Sequence, residues 1–185
     1  RFNRETSLAV PYNDLPVLQK LLEALRGEVA GVLVESVQDN GPSSDYFPGV
    51  RRLCDEHGAV FILDEIKTGF RFARGGAAEF FGITPDIATY AKAMGNGYPA
   101  AAFAGREEIM EVLPSKVSHG GTYAGNRVAA AAAVKTLEIL RDTDALATIH
   151  ATGERIQAGV RQLLDAKGLA YHITGHPSMF GVMFT

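Results

Sequence analysis

One cysteine, Cys54, occurs in 185 residues, so no disulfide can form within the chain. Nothing in that usage argues for an exported, disulfide-stapled fold. No apolar run approaches the length of a bilayer-spanning helix. The opening "RFNRETSLAV" has no apolar signal-peptide core. Charge of one sign is also scarce in excess. The 18 Lys and Arg against 21 Asp and Glu leave a formal net charge of -3, which gives no electrostatic case for nucleic acid or an anionic membrane. Repeats and low-complexity tracts are missing too. What is present is globular in kind: 46% hydrophobic and 21% charged residues, in a length that supports one domain with a sizeable core. The chain reads as soluble and cytoplasmic. Its abrupt start, and an end inside the strand-like "GHPSMFGVMFT", read as part of a longer protein.

Along the chain, helix-like and strand-like stretches alternate. "NDLPVLQKLLEALRG" has an N-cap at Asn13 or Asp14, Pro16 in the first turn, an apolar stripe of Leu18, Leu21, Leu22 and Leu25, and Gly27 as C-cap. "VAGVLVES", "AVFILDE", "DIATYAK" and "PAAAFAG" read as buried strands. "NGPSSDYFPG" is turn-rich, and "VRRLCDEHG" is the end of a helix closed by Gly58. "REEIMEVL", "NRVAAAAAVKTLEILRD" and "DALATIHATGERIQAGVRQLLDAKG" are helical patterns, and "YHITGHPSMFGVMFT" is hairpin material. Near-continuous apolar strands separated by helices predict an α/β fold, a mostly parallel sheet with helices on both faces.

In such sheets functional groups collect at the carboxyl ends of the strands. Glu35, Asp64 and Lys92 stand at three of them. Each alone is best explained as a charge emerging into solvent. Three together are more suggestive, because neighbouring strand ends converge. A partly desolvated lysine is a nucleophile toward a carbonyl. A strand-held aspartate can keep a proton on a heteroaromatic nitrogen, as the pyridinium partner in a pyridoxal-phosphate enzyme does. The flexible "GNG" after Lys92 lets the backbone approach a cofactor.

"FILDEIKTGFR", then "PDIATYAKAMGNGYP", then "GGTYAGNRVAAAAAVKTLEIL" resemble the class III aminotransferases, pyridoxal-phosphate enzymes of fold type I, and within them the glutamate-1-semialdehyde aminomutase-like branch. The resemblance runs from "PYNDLPVLQKLLEAL" to "SMFGVMFT". It implies the later part of the large, cofactor-binding domain over residues 1–143, then a helix and the start of a C-terminal small domain over 144–185. It also implies pyridoxal 5′-phosphate as cofactor and a lysine aldimine in amino transfer between a small-molecule amino donor and a carbonyl acceptor. Lys92 matches the cofactor-bearing lysine, Asp64 the partner of the pyridine nitrogen, and Ile66 the apolar residue against a ring face. Thr122 matches a threonine that reaches the phosphate in the neighbouring subunit of a homodimer. Glu35 matches a glutamate that in some members pairs with an arginine and gates substrates. The family's phosphate-cradling loop and stacking aromatic would precede Arg1, and its carboxylate-binding residues would follow Thr185.

The chain departs from the pattern at Ser36, where proline is usual, in a short turn after "VQDNG", and at Lys67, where glutamine or methionine is common. Lys67 is expected to point to solvent and is left out of the site. Other signals are weak. "GNGYPA" is a near match to a dinucleotide fingerprint, but Pro99 breaks the helix entry. His172 and His176 are four apart, yet Gly175 and Pro177 oppose a metal-binding helix. His57 reads as a helix C-terminal cation, His119 as a polar loop residue, Arg71 and Arg74 as solvated, and Cys54 as packing. Three readings remain: an aminotransferase, an aminomutase moving the amino group within one substrate, and a non-catalytic α/β piece that packs on a partner.

Overall fold

A computed structural model of the chain describes residues 6–38, 41–113 and 117–185. Part of the "VQDNG" turn and the first five residues lie outside that set. The elements in chain order are α1 (Leu15–Ala24), β1 (Gly31–Glu35), α2 (Tyr46–His57), β2 (Val60–Asp64), α3 (Gly76–Phe81), β3 (Ile87–Tyr90), a 3-10 turn (Lys92–Met94), β4 (Ala102–Gly105), α4 (Glu107–Met110), α5 (Arg127–Asp142), α6 (Ala145–Ala166), β5 (Tyr171–His176) and β6 (Met179–Phe184). A four-stranded sheet has the order β1-β2-β3-β4. β1, β2 and β3 run parallel, and β4 is antiparallel to β3. β5 and β6 form a separate antiparallel hairpin. This is the mostly parallel α/β architecture read from the sequence.

Local chemistry explains the boundaries. Asp14 caps α1 by accepting from the Val17 amide at 3.0 Å, with proline in the first turn. That helix stops at Ala24, before Gly27, whose left-handed φ of 79° serves the following turn. α2 begins at Tyr46, inside the stretch that reads as turn-rich, and runs through Pro48. Proline is tolerated there because first-turn amides have no intrahelical acceptor. Gly58 closes α2 in the left-handed conformation at φ 68°, as expected. Asn126 caps α5 by accepting from Ala129. α3 carries no sequence expectation. "GNGYPA" forms turns and no helix, so it offers no helix N-terminus to a dinucleotide.

α1 and α2 cover one face of the sheet. Leu18 and Leu22 of α1, Tyr46, Phe47, Val50, Leu53 and Cys54 of α2, and Val34, Phe61 and Leu63 of the strands make one buried cluster. Burying each such aliphatic or aromatic side chain stabilises by about 1.5–3 kcal/mol. Cys54 is fully buried there, and burial pushes its thiol up to about 11, so it packs and does not react. Because strand side chains alternate, Leu33, Glu35, Ile62 and Asp64 leave on the opposite face. At the amino-terminal edge of the sheet, Asp86 accepts from the Phe61 amide and pairs with Arg51 and Arg106.

The hairpin docks through a histidine cluster. His176 stacks on Phe72 at 4.4 Å between ring centroids, stands edge-on to Phe80 and His150, and shares a hydrogen bond with Ser178. His150 of α6 bonds the carbonyl of Arg71 at 2.7 Å. Burial and then the neighbouring His150 push the His176 imidazole below its usual value, with Glu154 opposing. The unfolded chain therefore takes up this proton first, and stability is lost as pH falls below about 6.5. Thermal unfolding of the full-length protein should show that acid loss, and His176→Gln should flatten it. An unchanged slope in the variant would assign the loss to other groups. No helix among the described residues is long and apolar enough to cross a membrane, and no cluster of His, Cys, Asp or Glu there is placed to hold a metal ion.

Candidate active site

The parallel register sets Glu35 opposite Asp64, and Asp64 opposite Thr89. The three side chains therefore leave β1, β2 and β3 at the same carboxyl-terminal edge and on the face away from α1 and α2. Asp64 is held in one orientation. Its Oδ1 accepts from the Ile66 amide at 2.8 Å and lies 3.3 Å from the Thr89 hydroxyl. Oδ2 has no hydrogen-bond partner among the described residues.

Lys92 follows β3 by two residues and opens the 3-10 turn. It has a left-handed φ of 44°, which is uncommon for a residue with a side chain and costs about 1–2 kcal/mol. Such outliers persist where surrounding structure over-determines them, often at active sites. Here α5 packs against the turn. The Lys92 side chain is exposed and makes no ion pair among the described residues.

Ile66 is half-buried in the turn after β2. Thr122 is exposed in the turn before α5 and shares no hydrogen bond with Asp64 or Lys92. The strand-end trio of Glu35, Asp64 and Lys92 thus shares one sheet edge. His119 lies edge-on to Phe103 at 5.2 Å, a packing contact.

Lys67 is exposed, as expected, and it also meets an acid. Its side chain is half-exposed, and its ammonium lies 2.6 Å from Glu35 Oε1. The turn after β2 folds back across the end of β1, so the cation finds an acid and does not project into solvent alone. Burial pushes the Tyr12 hydroxyl well above its ordinary value, with Tyr46 and then Glu35 adding to it. That hydroxyl stays protonated and donates to the Ser36 carbonyl at 3.1 Å.

Glu65 is the residue that sequence reading passes over. It is 0% exposed, one position after Asp64 and on the other side of the strand. The Thr68 hydroxyl and the Ala77 and Ala78 amides donate to its two oxygens. The signal was alternation itself: if Asp64 faces the site, the next acid faces the core and must find donors there.

The profile described as Aminotransferase class-III matches residues 5–185. The chain is 37% identical over 186 residues to glutamate-1-semialdehyde 2,1-aminomutase of Methanococcoides burtonii, covering 97% of this chain and 44% of that relative. It is 38% identical to the enzyme of the same name from Methanosarcina acetivorans, covering 96% and 43%. Among solved structures, the PLP internal aldimine form of the Sphingopyxis sp. MTA144 FumI protein superposes with a TM-score of 0.89 at 29% identity, covering 96% of this chain and 44% of that one. An α/β fold with ionisable groups at parallel strand ends defines the class, and the match over nearly all residues defines the family. The chain belongs to the class III aminotransferases. It spans less than half the length of the curated relatives it matches.

Proposed function

We propose that the protein carrying this chain is a pyridoxal-phosphate-dependent transaminase that moves an amino group between a small-molecule donor and a carbonyl acceptor. Family membership supports the reading, and the observation that carries it is the pairing at the sheet edge. Among the described residues, Asp64 has one anchored and one open carboxylate oxygen, and exposed Lys92, just beyond the next strand, makes no ion pair. This donor set suits pyridoxal 5′-phosphate: an acceptor for a protonated ring nitrogen, an amine for an aldehyde, and Ile66 as an apolar neighbour. When bound, the cofactor supplies an aldehyde to which amines condense and a ring that takes up an electron pair.

The roles of the chain's own residues follow. Asp64 Oδ2 would accept the ring N–H and hold that proton in place. Ile66 packs on a ring face. The Lys92 amine would anchor the cofactor through its aldehyde and, when free, would accept the proton from the substrate α-carbon and hold it for return. Glu35 gates the substrate side, with Lys67 as its counter-ion. The Thr122 hydroxyl donates to the phosphate in the partner subunit of a homodimer. Residues 1–143 belong to the large domain and 144–185 lead into the small one, in a cytoplasmic enzyme.

The names of the two curated relatives favour a second reading, intramolecular amino transfer. Turnover of a single amino-aldehyde substrate without an added acceptor distinguishes it. The test of the shared chemistry is to load the full-length protein with pyridoxal phosphate, reduce with borohydride and map the mass increment. Label confined to Lys92 is expected. Scattered or absent label would overturn the assignment.

A further inference from the structure

A buried carboxyl group is costly unless its oxygens meet donors. Glu65 meets three, although no cation pairs with it among the described residues. Oε1 accepts from the Ala78 amide at 2.7 Å, and Oε2 accepts from the Ala77 amide at 2.9 Å and from the Thr68 hydroxyl. Gly76 clears the space, since a Cβ there would stand 2.6 Å from both carboxyl oxygens. Thr68, 1% exposed, lies 2.5 Å from the Ser36 hydroxyl, itself 0% exposed. Ser36 in turn reaches the Asp64 carbonyl through its hydroxyl at 3.0 Å and through its amide at 3.2 Å. The Gly69 amide closes on the Glu65 carbonyl at 2.8 Å.

This chain of bonds joins three parts of the fold: the start of α3, the turn after β2, and the end of β1. Between its fixed points lies Ile66, whose amide holds Asp64 Oδ1. A carboxylate accepts only, so it matches three donors, whereas an amide in its place would set its NH2 against the donors at one of the two oxygen positions, Ala78 or Ala77 with Thr68.

We infer that Glu65, with Thr68 and Ser36, is a positioning device for the reaction: it clamps the turn over residues 65–69 so that the Ile66 amide fixes Asp64 with Oδ2 open toward the ring nitrogen. None of the three touches substrate or cofactor; they act through Ile66 and Asp64. The inference rests on the cofactor reading above.

The test uses the full-length protein loaded with pyridoxal phosphate. Thr68→Val keeps the shape and removes the hydroxyl; Thr68→Ser restores it. In Thr68→Val the kcat falls about tenfold, the scale of one hydrogen bond lost to a buried group, with KM for the amino donor within about twofold. The pH midpoint of the bound cofactor's visible band shifts as well, and Thr68→Ser recovers both. A purely structural role would lower stability and leave the band and kcat alone. Thr68→Val that folds with an unshifted band and unchanged kcat overturns the device. Should Thr68→Val fail to fold, Ser36→Ala removes the far end of the same chain, and about a threefold loss of kcat with a shifted band is expected. An unchanged band and kcat in Ser36→Ala overturn it equally. An unsubstituted protein with neither visible band nor borohydride label overturns the cofactor reading, and the device with it.

Discussion

Replacing Lys92 with alanine removes turnover from the full-length enzyme by at least about 10²–10⁴-fold, the range a positioned proton-transfer group contributes. The loss is expected to exceed that range because, on the proposed reading, one amine would serve two purposes, covalent anchoring and proton transfer. The structure gives the prediction a specific form. Lys92 sits in a turn held at φ 44° and packed by α5, and its side chain is exposed. Truncation therefore removes no core contact, and the circular dichroism spectrum and melting temperature should stay near those of the parent. Alanine also tolerates the left-handed backbone no worse than lysine does, since the penalty comes from Cβ. Lys92→Arg separates charge from nucleophilicity: it keeps the cation, cannot lose its proton at accessible pH, and is expected to be as inactive as alanine. Turnover within tenfold of the parent in either variant would show that the amine acts elsewhere, and the other lysine near the sheet edge, Lys67, would then need testing.

What the sequence discloses about this protein depends on how local each cause is. β2 is legible because five residues of near-continuous apolar side chain have one structural solution in an α/β fold, and Asp64 is legible because it ends that run. Lys92 is legible for the same reason, two residues past the end of β3. α2 hides its start because serine, aspartate and proline before Phe47 look like a turn, and only the buried faces of Tyr46 and Phe47 reveal the helix. α3 has six residues, too few for a 3.6-residue period to declare itself. Glu65 fails to announce itself because its amide donors lie 12 and 13 residues away, across a loop whose path the sequence does not fix. The Lys67–Glu35 pair has the same cause at longer range, an acid on one strand and a cation after the next. Thr122 has a different one: its proposed partner is the phosphate of another subunit, so no contact inside one chain reports on it.

Asp64→Asn is the sharper experiment, because asparagine copies the shape of aspartate and changes only the charge and the proton. Its Oδ1 still accepts from the Ile66 amide, so the turn after β2 keeps its anchor. At the Oδ2 position it presents an N–H pair, which donates where an acceptor is required. On the proposed reading, a proton on the ring nitrogen would then lack a counter-charge, and the ring would be a weaker electron sink. Removing one preorganised electrostatic partner from an active site costs about 10²–10³-fold in kcat, and that loss is the expectation here. Cofactor binding should weaken far less, since the proposed contacts of Lys92 and Ile66 are left in place. Asp64→Ala makes the control. It removes the charge and also the acceptor for Ile66, so cofactor affinity falls together with kcat. A difference between the two variants, with Asn losing rate alone and Ala losing rate and affinity, assigns Asp64 two separable duties: electrostatic partner through one oxygen and turn anchor through the other. Equal kcat in Asp64→Asn and the parent would remove Asp64 from the ring nitrogen. In that case the Ile66 contact would be its whole role, and the geometry at the end of β2 would be a structural turn.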